Sequence, residues 1–484
     1  MNRIFMTICA ASVALTSFAG GLLTNTNQNA TFLRNPARDA AIAIDGVYSN
    51  PAGVAFMPEG FHLSLSWQAA WQKRQLNASN KLFMMNTDNQ TANRIFEGVA
   101  QAPVIPSFQA AYVINDKWSV SAQFAVGGGG GKCEFAEGLP MFEELIGGIA
   151  YKNGGSSYAL NQTLTGEQYI YGLQVGGTYK ITKNVSVFAG IRGVLANSFY
   201  VGSITNIKAN GLGSAEYAAL SQQAAQGAQH AAQAAAQYAA AGMTAEAQQY
   251  NEMAQQYLAQ AQQAGTVAYL LSDYTLNCSQ SGMGITPILG ADWKFGKFNF
   301  GAKYEFRTKI ELENEATNSE NLAALASTVP AVAVYSDGAK VRSDIPALLS
   351  VGGEYAIIPS VRVAAGFHYF WDKKAKGTPI KAGDNTWEVA LSAEWDINKN
   401  ILVSAGAMRT QYGFADSDMT DTNFNTSSYG LCIGGAYKFN DRMKLNIGYV
   451  HSFFENHKYT NGNGTTCDYT RKNDAVGVSF DISF

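Results

Sequence analysis

Four basic side chains carry the clearest chemical signal in this sequence: Arg192, Lys303, Arg307 and Arg362. Each lies in a stretch where apolar and polar residues alternate, with Ile191, Tyr304 and Val361 as apolar neighbours. Successive strand side chains point to opposite faces, so the four cations share the face turned away from those neighbours. A guanidinium offers forked donors that suit a carboxylate, and inward cations of this kind would hold an acid. Glu305, Glu354 and Glu388 fall on that same face. Arg–Glu pairs that brace a wall are therefore the competing reading. Catalysis finds less support. The five histidines are His62, His230, His368, His451 and His457, and only His62 and His368 alternate inward. None stands in a Ser/His/Asn or Ser/His/Asp arrangement. Neither enzyme activity, nor a metal, nor a cofactor is expected.

The elements that must position these groups are strands. The last eleven residues run Asp474-Ala-Val-Gly-Val-Ser-Phe-Asp-Ile-Ser-Phe484. Val476, Val478, Phe480, Ile482 and Phe484 face one way, and small or polar residues face the other. One apolar and one polar face, with a terminal aromatic, suit the closing strand of an outer-membrane barrel. The same period recurs at Phe61–Trp71, Ser107–Ile114, Lys117–Val126, Gln168–Lys180, Asn184–Ala196, Ile285–Phe295 and Lys297–Glu311. It continues at Pro346–Ile357, Ser360–Trp371, Thr386–Ile397, Asn400–Tyr412, Ser427–Phe439, Met443–Phe453 and Lys472–Phe484. That makes fourteen strands, an even number. Short turns such as Asn115-Asp116, Lys183-Asn184, Gly296-Lys297, Asn398-Lys399 and Asn440-Asp441 alternate with long connections. The expected fold is all-β: a 14-stranded antiparallel transmembrane barrel over residues 60–484, with short periplasmic turns and long outer loops.

Composition agrees. Gly (48), Tyr (24) and Phe (26) are abundant and charged residues make up only 15%. The mean hydropathy of −0.09 is too low for a helical bundle. Residues 1–19 read as a secretory signal: Arg3, an apolar run from Ile4 to Leu15, and Ser17-Phe18-Ala19 before the cut. A net charge of −3 with no basic block excludes nucleic acid as an expected partner. Cys133, Cys278, Cys432 and Cys467 form no CxxC pair and no metal-like spacing. A bridge such as Cys133–Cys278 is open outside the cell, though spacing assigns no pairing. Residues 213–265 are mostly Ala and Gln around Gly242. They predict an extracellular helical hairpin, with Thr244 as a candidate cap, against a flexible low-complexity spacer.

Residues 20–59 have no period of two, yet carry Leu22, Leu23, Phe32, Leu33, Ile42, Ile44, Val47 and Phe56. Such apolar content argues for a compact plug inside a lumen wide enough to need one. Within it, Asp39-Ala-Ala-Ile-Ala-Ile-Asp-Gly-Val-Tyr-Ser-Asn-Pro-Ala-Gly53 resembles the hatch of the FadL/TodX outer-membrane transporters of long-chain fatty acids and aromatic hydrocarbons. The match is a small-residue run, an acidic residue (Asp45), and Asn50-Pro51-Ala52-Gly53 shortly before the first strand. Fourteen strands behind a plug, and a C-terminal Phe, are also that family's plan.

The resemblance implies passive uptake of a hydrophobic small molecule, with long-chain fatty acid the leading solute. It would pass through an apolar pocket gated by Asp45 and Asn50–Gly53. It also implies a kink in the third strand that opens a path into the bilayer. Gly127, Gly128 and Gly129 are the candidates here, although they follow the expected strand instead of lying within it. The segment Leu139-Pro-Met-Phe-Glu-Glu-Leu-Ile-Gly-Gly-Ile149 would be a short helix with an exposed apolar face, lining an outer groove through Leu139, Phe142, Leu145 and Ile146. No basic residue here is matched to the family's ligand-binding ones. The implied setting is the outer membrane of a Gram-negative bacterium. There a multi-pass monomer would contact outer-membrane lipid and lipopolysaccharide. A surface adhesin or structural barrel, and a general diffusion porin, are the alternatives.

Overall fold

The computed structural model describes residues 24–327 and 330–484. The expected signal, residues 1–19, and the first residues of the expected hatch lie outside them. Fourteen antiparallel strands close into a barrel: Gly60–Ser79, Asn93–Val113, Trp118–Phe135, Tyr158–Thr182, Val185–Ala209, Tyr274–Phe295, Phe298–Glu305, Leu348–Ile358, Val361–Phe370, Trp387–Asp396, Ile401–Gln411, Ser428–Lys438, Met443–Phe454 and Thr466–Ser483. The first strand pairs with the last from His62↔Ser483 to Ser79↔Thr466, which removes both sheet edges. Three short strands, Glu311–Ala316, Lys340–Arg342 and His457–Thr460, pair on the outer side only.

The expected strand positions hold, and the first six strands extend further outward. The fourth and fifth have 25 residues each, against roughly ten needed to cross a bilayer. Their outer halves form a wall above the membrane. The third runs on to Phe135 through its glycines, and the seventh stops at Glu305, short of Glu311. The short turns form as expected: Asn115 Oδ1 accepts from the Lys117 and Trp118 amides, and Asn398 Oδ1 from those of Asn400 and Ile401.

The outer surface is apolar through the middle. Leu65, Leu173, Ile191, Leu289, Leu391, Ile433 and Ile447 are exposed there, between Trp118, Trp293, Trp395 and Phe439 at the turn end and Trp67, Trp71, Tyr429 and Phe453 at the loop end. An apolar band between aromatic girdles is a surface built for lipid, so the barrel spans a membrane. No helix among the described residues is long and apolar enough to cross one.

The Ala/Gln segment folds into helices α4 (Ser214–Ala240) and α5 (Thr244–Leu270), five residues beyond the expected end. Thr244 is the first helical residue, not a cap; Met243 precedes it without a capping side chain. The two helices meet through Ser221 Oγ to Ala261 O and a Tyr238–Tyr250 stack. No disulfide forms among the described residues: Cys133, Cys278, Cys432 and Cys467 are buried free thiols on barrel strands. That removes the Cys133–Cys278 bridge.

Candidate functional site

Residues 24–59 pack against the inner wall. They include α1 (Ala30–Arg34), α2 (Gly46–Ser49) and a 3-10 turn, Gly53–Phe56. Asn29 caps α1 through Thr31 N (2.8 Å), and its amide donates to Gln109 Oε1 (2.8 Å) on the second strand. Arg34 reaches Glu394 and Asn446. Arg38 forms a two-point ion pair with Asp45 (2.7 and 2.8 Å). His368 sits between Asp39 Oδ1 (2.8 Å) and Glu388 Oε1 (2.9 Å). The Asn-Pro-Ala-Gly quartet is tied down too. Asn50 accepts from Gly53 N and donates to Asp292, while Pro51 O and Ala52 O accept from Thr178 (2.9 Å) and Ser186 (2.7 Å).

Room for this segment comes from wall glycines aligned across strands. Gly301, Gly352 and Gly366 are register partners, and a Cβ on each would strike Asp39 at 2.0, 2.7 and 2.2 Å. Gly434, Gly448 and Gly477 form a second aligned row, where added carbons would meet α1 at 2.7–2.9 Å. Absent side chains let the backbone approach closely. Sequence inspection missed both rows, because alignment of glycines in different strands shows only once register is known.

The four expected cations do not form one site. Arg192 and Lys303 both bond Glu305 (2.6 and 2.7 Å), and Lys303 also donates to Tyr48 O (2.8 Å). Arg362 pairs with Asp396 (2.7 Å) and Glu394 (3.4 Å). Arg307 lies beyond the seventh strand, one-third exposed, donating to Lys374 O. These are wall-bracing contacts. Buried charges are costly unless paired, and the acidic partners supply that pairing.

The wall is broken between the second and third strands. Their ladder stops at Gln101↔Lys132 and resumes at Ser107↔Ala125, so residues 102–106 and 126–131 have no partner in it. On the third strand, Gly127–Gly131 bring two register shifts against the fourth, with positive φ at Gly129 (65°) and Gly131 (143°). Pro103 and Pro106 stand opposite; neither has an N–H to give. The prolines went unnoticed at the sequence level, although two of them in one strand were a legible signal. Asn25 of the N-terminal segment lies across the break: its amide N–H bonds Gly127 O (2.9 Å), and its side chain bonds Val126 O (3.3 Å) and Gly129 O (3.2 Å). Leu33 packs with Ala102, Ile105 and Val126 beside it. Inside, a narrow crevice with about 10 Å³ of free room is lined by Thr24, Gly127, Ile170, Tyr171, Arg192 and Phe306, among others.

Above the membrane, α3 (Pro140–Lys152) closes the interior. Its apolar face is not exposed, as expected, but buried: Leu139, Phe142, Leu145 and Ile146 all lie within a large apolar cluster. The loops cover it. Glu143 pairs with Arg94 and accepts from Tyr158 and Gln162, while Met141 N donates to Asp421 Oδ2 (2.8 Å). Burial and the neighbouring Glu144 push the Asp421 carboxyl up to about 7, against the pull of the Met141 amide. Phe142 and Leu145 line an apolar pocket with Leu164, Ile204, Tyr274 and Leu322; its space, open mouth included, is about 570 Å³. Leu139 and Ile146 are not part of its lining. No group of three or more His, Cys, Asp or Glu residues fit to hold a metal occurs among the described residues.

Fold and surface together define an outer-membrane β-barrel with an occupied lumen. Solved structures share that fold across nearly the whole chain. A Pseudomonas aeruginosa FadL homologue matches at TM-score 0.64 and 15% identity, covering 96% of this chain and all of that one. The Pseudomonas putida toluene transporter TodX matches at TM-score 0.53 and 13% identity, covering 98% of both chains. The Ralstonia pickettii toluene transporter TbuX matches at 0.51 and 13%, covering 93% and 98%. No protein-family model and no curated protein sequence matches the chain.

Proposed function

We propose that this protein is a passive outer-membrane channel for hydrophobic small molecules, with residues 24–59 as its hatch. The break between the second and third strands carries the reading, because it leaves wall backbone without ladder partners between an interior crevice and the lipid-facing side. A solute would collect in the apolar pocket under α3, descend beside Arg192, and leave sideways at Gly127–Gly131 when Asn25 lets go. Burial of each CH₂ contributes about 0.8 kcal/mol, enough to hold an alkyl chain or a substituted ring without specific contacts. Asp45 and Asn50–Gly53 would gate only indirectly, by holding the hatch to Arg38 and Asp292. The kinship in fold with a FadL homologue and two toluene transporters favours fatty acids or monoaromatic hydrocarbons, by analogy. The proposed setting is a monomer among outer-membrane lipid and lipopolysaccharide, with no enzymatic step and no cofactor.

The test straightens the third strand against the fourth by removing its two glycine bulges. Gly127 and Gly130 are the two extra residues of the third strand relative to the fourth. Deleting both keeps the inward and outward faces in phase. Uptake of labelled palmitate and of toluene is measured in a Gram-negative host lacking its own channel of this kind. The native protein should restore uptake of at least one, and the deletion variant, at equal surface abundance, should lose it at least tenfold. Full uptake by the deletion variant would rule out the sideways exit.

A further inference from the structure

We propose that a register row on the outer face of the barrel, Arg409, Tyr429, Phe453, Lys472 and Lys73, binds the diphosphorylated disaccharide of lipid A, the membrane-anchored end of lipopolysaccharide. The proposal rests on the outer-membrane setting of the channel reading and gives one of its lipid partners a place on the wall.

The row crosses five strands. Arg409 on the eleventh pairs with Tyr429 on the twelfth, Tyr429 with Phe453, Phe453 with Lys472, and Lys472 with Lys73 on the first. All five point outward, as alternation from the buried Thr410, Ser428, Ser452, Arg471 and Arg74 requires. Tyr429 and Phe453, 54% and 52% exposed, belong to the aromatic girdle at the loop end. The row therefore lies at the depth of lipid head groups in the outer leaflet. Below it the same wall shows Leu431, Ile433 and Trp71 to the acyl chains.

Lys472 and Lys73 carry the argument. Like charges directly opposite one another in a sheet repel. Lys73 is offset by Glu97, but no carboxylate pairs with Lys472 among the described residues. Asp474, two positions along on the same face, is engaged by His451 (2.7 Å) and Tyr449 instead. A phosphate between the two ammonium groups would turn the repulsion into charge-assisted bonding. At the other end Arg409 lies over the Tyr429 ring (4.3 Å) and pairs with the half-exposed Glu455 (2.7 Å). Ion pairs as open to water as Lys73–Glu97 and Arg409–Glu455 contribute little, so a phosphate competes well for both cations.

Spacing selects the disaccharide. Arg409 and Lys472 stand three strand spacings apart, about 14 Å, with two exposed aromatic rings between them. A cation, two rings and a cation pair match, in order, a phosphate, two sugars and a phosphate, with the apolar sugar faces on the rings. A glycerophospholipid has one phosphate and would engage only one end. His451 and Asp474, register partners one step deeper, stand where amide and hydroxyl groups join the sugars to their chains.

The test uses the full barrel folded in detergent, with EDTA present so that divalent cations cannot bridge lipid to carboxylates. Diphosphoryl lipid A, monophosphoryl lipid A and phosphatidylglycerol compete for it, and retention of each is read by native mass spectrometry. The native protein should retain diphosphoryl lipid A at least tenfold over phosphatidylglycerol and at least threefold over the monophosphoryl form. K73Q/K472Q should bring the first ratio to within threefold of unity, and R409Q should erase the second. K309Q/K340Q, which removes two exposed cations off the row, should keep both. Heat-modifiability checks that each variant is folded. Unchanged ratios in K73Q/K472Q and R409Q, or equal retention of phosphatidylglycerol by the native barrel, overturn the site and leave the channel reading intact. Retention of none of the three lipids by a folded native barrel would overturn the site and count against the outer-membrane setting beneath it.

Discussion

Asp39 shows how tightly single residues fit the lumen to its contents. Its carboxylate meets His368, and its backbone and side chain press on Gly301, Gly352 and Gly366. A Val at Gly366 would place carbon about where the carboxylate oxygen lies. Overpacking of that kind typically costs about 1–3 kcal/mol, here charged to the contact between hatch and wall instead of to the barrel ladder. G366V should therefore insert normally but leak. Its single-channel conductance in planar bilayers should rise several-fold, and the host should become sensitive to large hydrophilic antibiotics. Native conductance in a folded G366V would mean that the segment is not sealed at Asp39. At this scale the sequence revealed residue type but not partnership. Alternation turned Arg192, Lys303 and Arg362 to the right face, with Glu305 two residues from Lys303 on its own strand; but Arg192 meets Glu305 from two strands away, and Glu394 and Asp396 meet Arg362 from the neighbouring strand. Only register brings those groups together.

Among the elements, strands were the most legible, because a period of two with a lipid-facing side leaves a strong pattern. The third strand hid its outer half, since glycine carries no pattern at all. α3 was visible as a helix, but what would cover it was not: its cover comes from residues hundreds of positions away, such as Asp421. That contact gives the loop of residues 412–427 a pH dependence. The Asp421 carboxyl is raised from its ordinary value to about 7, so the docked loop binds the proton more tightly than the free loop does. Docking is fully favoured below about pH 4 and weakens as pH climbs through 7, by up to roughly 4 kcal/mol at about 1.4 kcal/mol per pH unit. Exchange across residues 412–427, corrected for the base-catalysed intrinsic rate, should accelerate between pH 4 and pH 7, and D421N should flatten that change. Equal acceleration in D421N would assign it elsewhere. The α4–α5 hairpin makes the opposite case. Beyond its base near Tyr217 and Val267 it contacts chiefly itself, so replacing residues 222–260 by a short turn should leave heat-modifiability and solute uptake within twofold of native. A loss of uptake would give the hairpin a part in transport.

Across the whole molecule, the inner wall changes character with height: polar and ion-paired around the hatch, apolar in the chamber below the loops. Residues 24–59, the proposed hatch, are anchored at widely separated points, by Asn29 to the second strand, Arg34 to the tenth and thirteenth, Asp39 to the ninth and Asn50 to the sixth. Releasing all of these together would leave several buried charges unpaired at once, at a few kcal/mol each. The stretch ahead of α1, where Asn25 holds Gly127 and Gly129 by neutral bonds and Thr26 reaches Glu388 at 3.4 Å, gives way most easily. Opening should therefore be local. In exchange measurements on the folded barrel, added toluene or palmitate should speed the amides of residues 24–28 by tenfold or more and leave those of 30–56 within twofold. N25G should produce the same local acceleration without solute, together with faster uptake, because the bonds from its side chain across the wall break are gone. Acceleration spread evenly over residues 24–59 would mean instead that the hatch leaves as one body, and the anchors would then need a solute strong enough to compete with every ion pair.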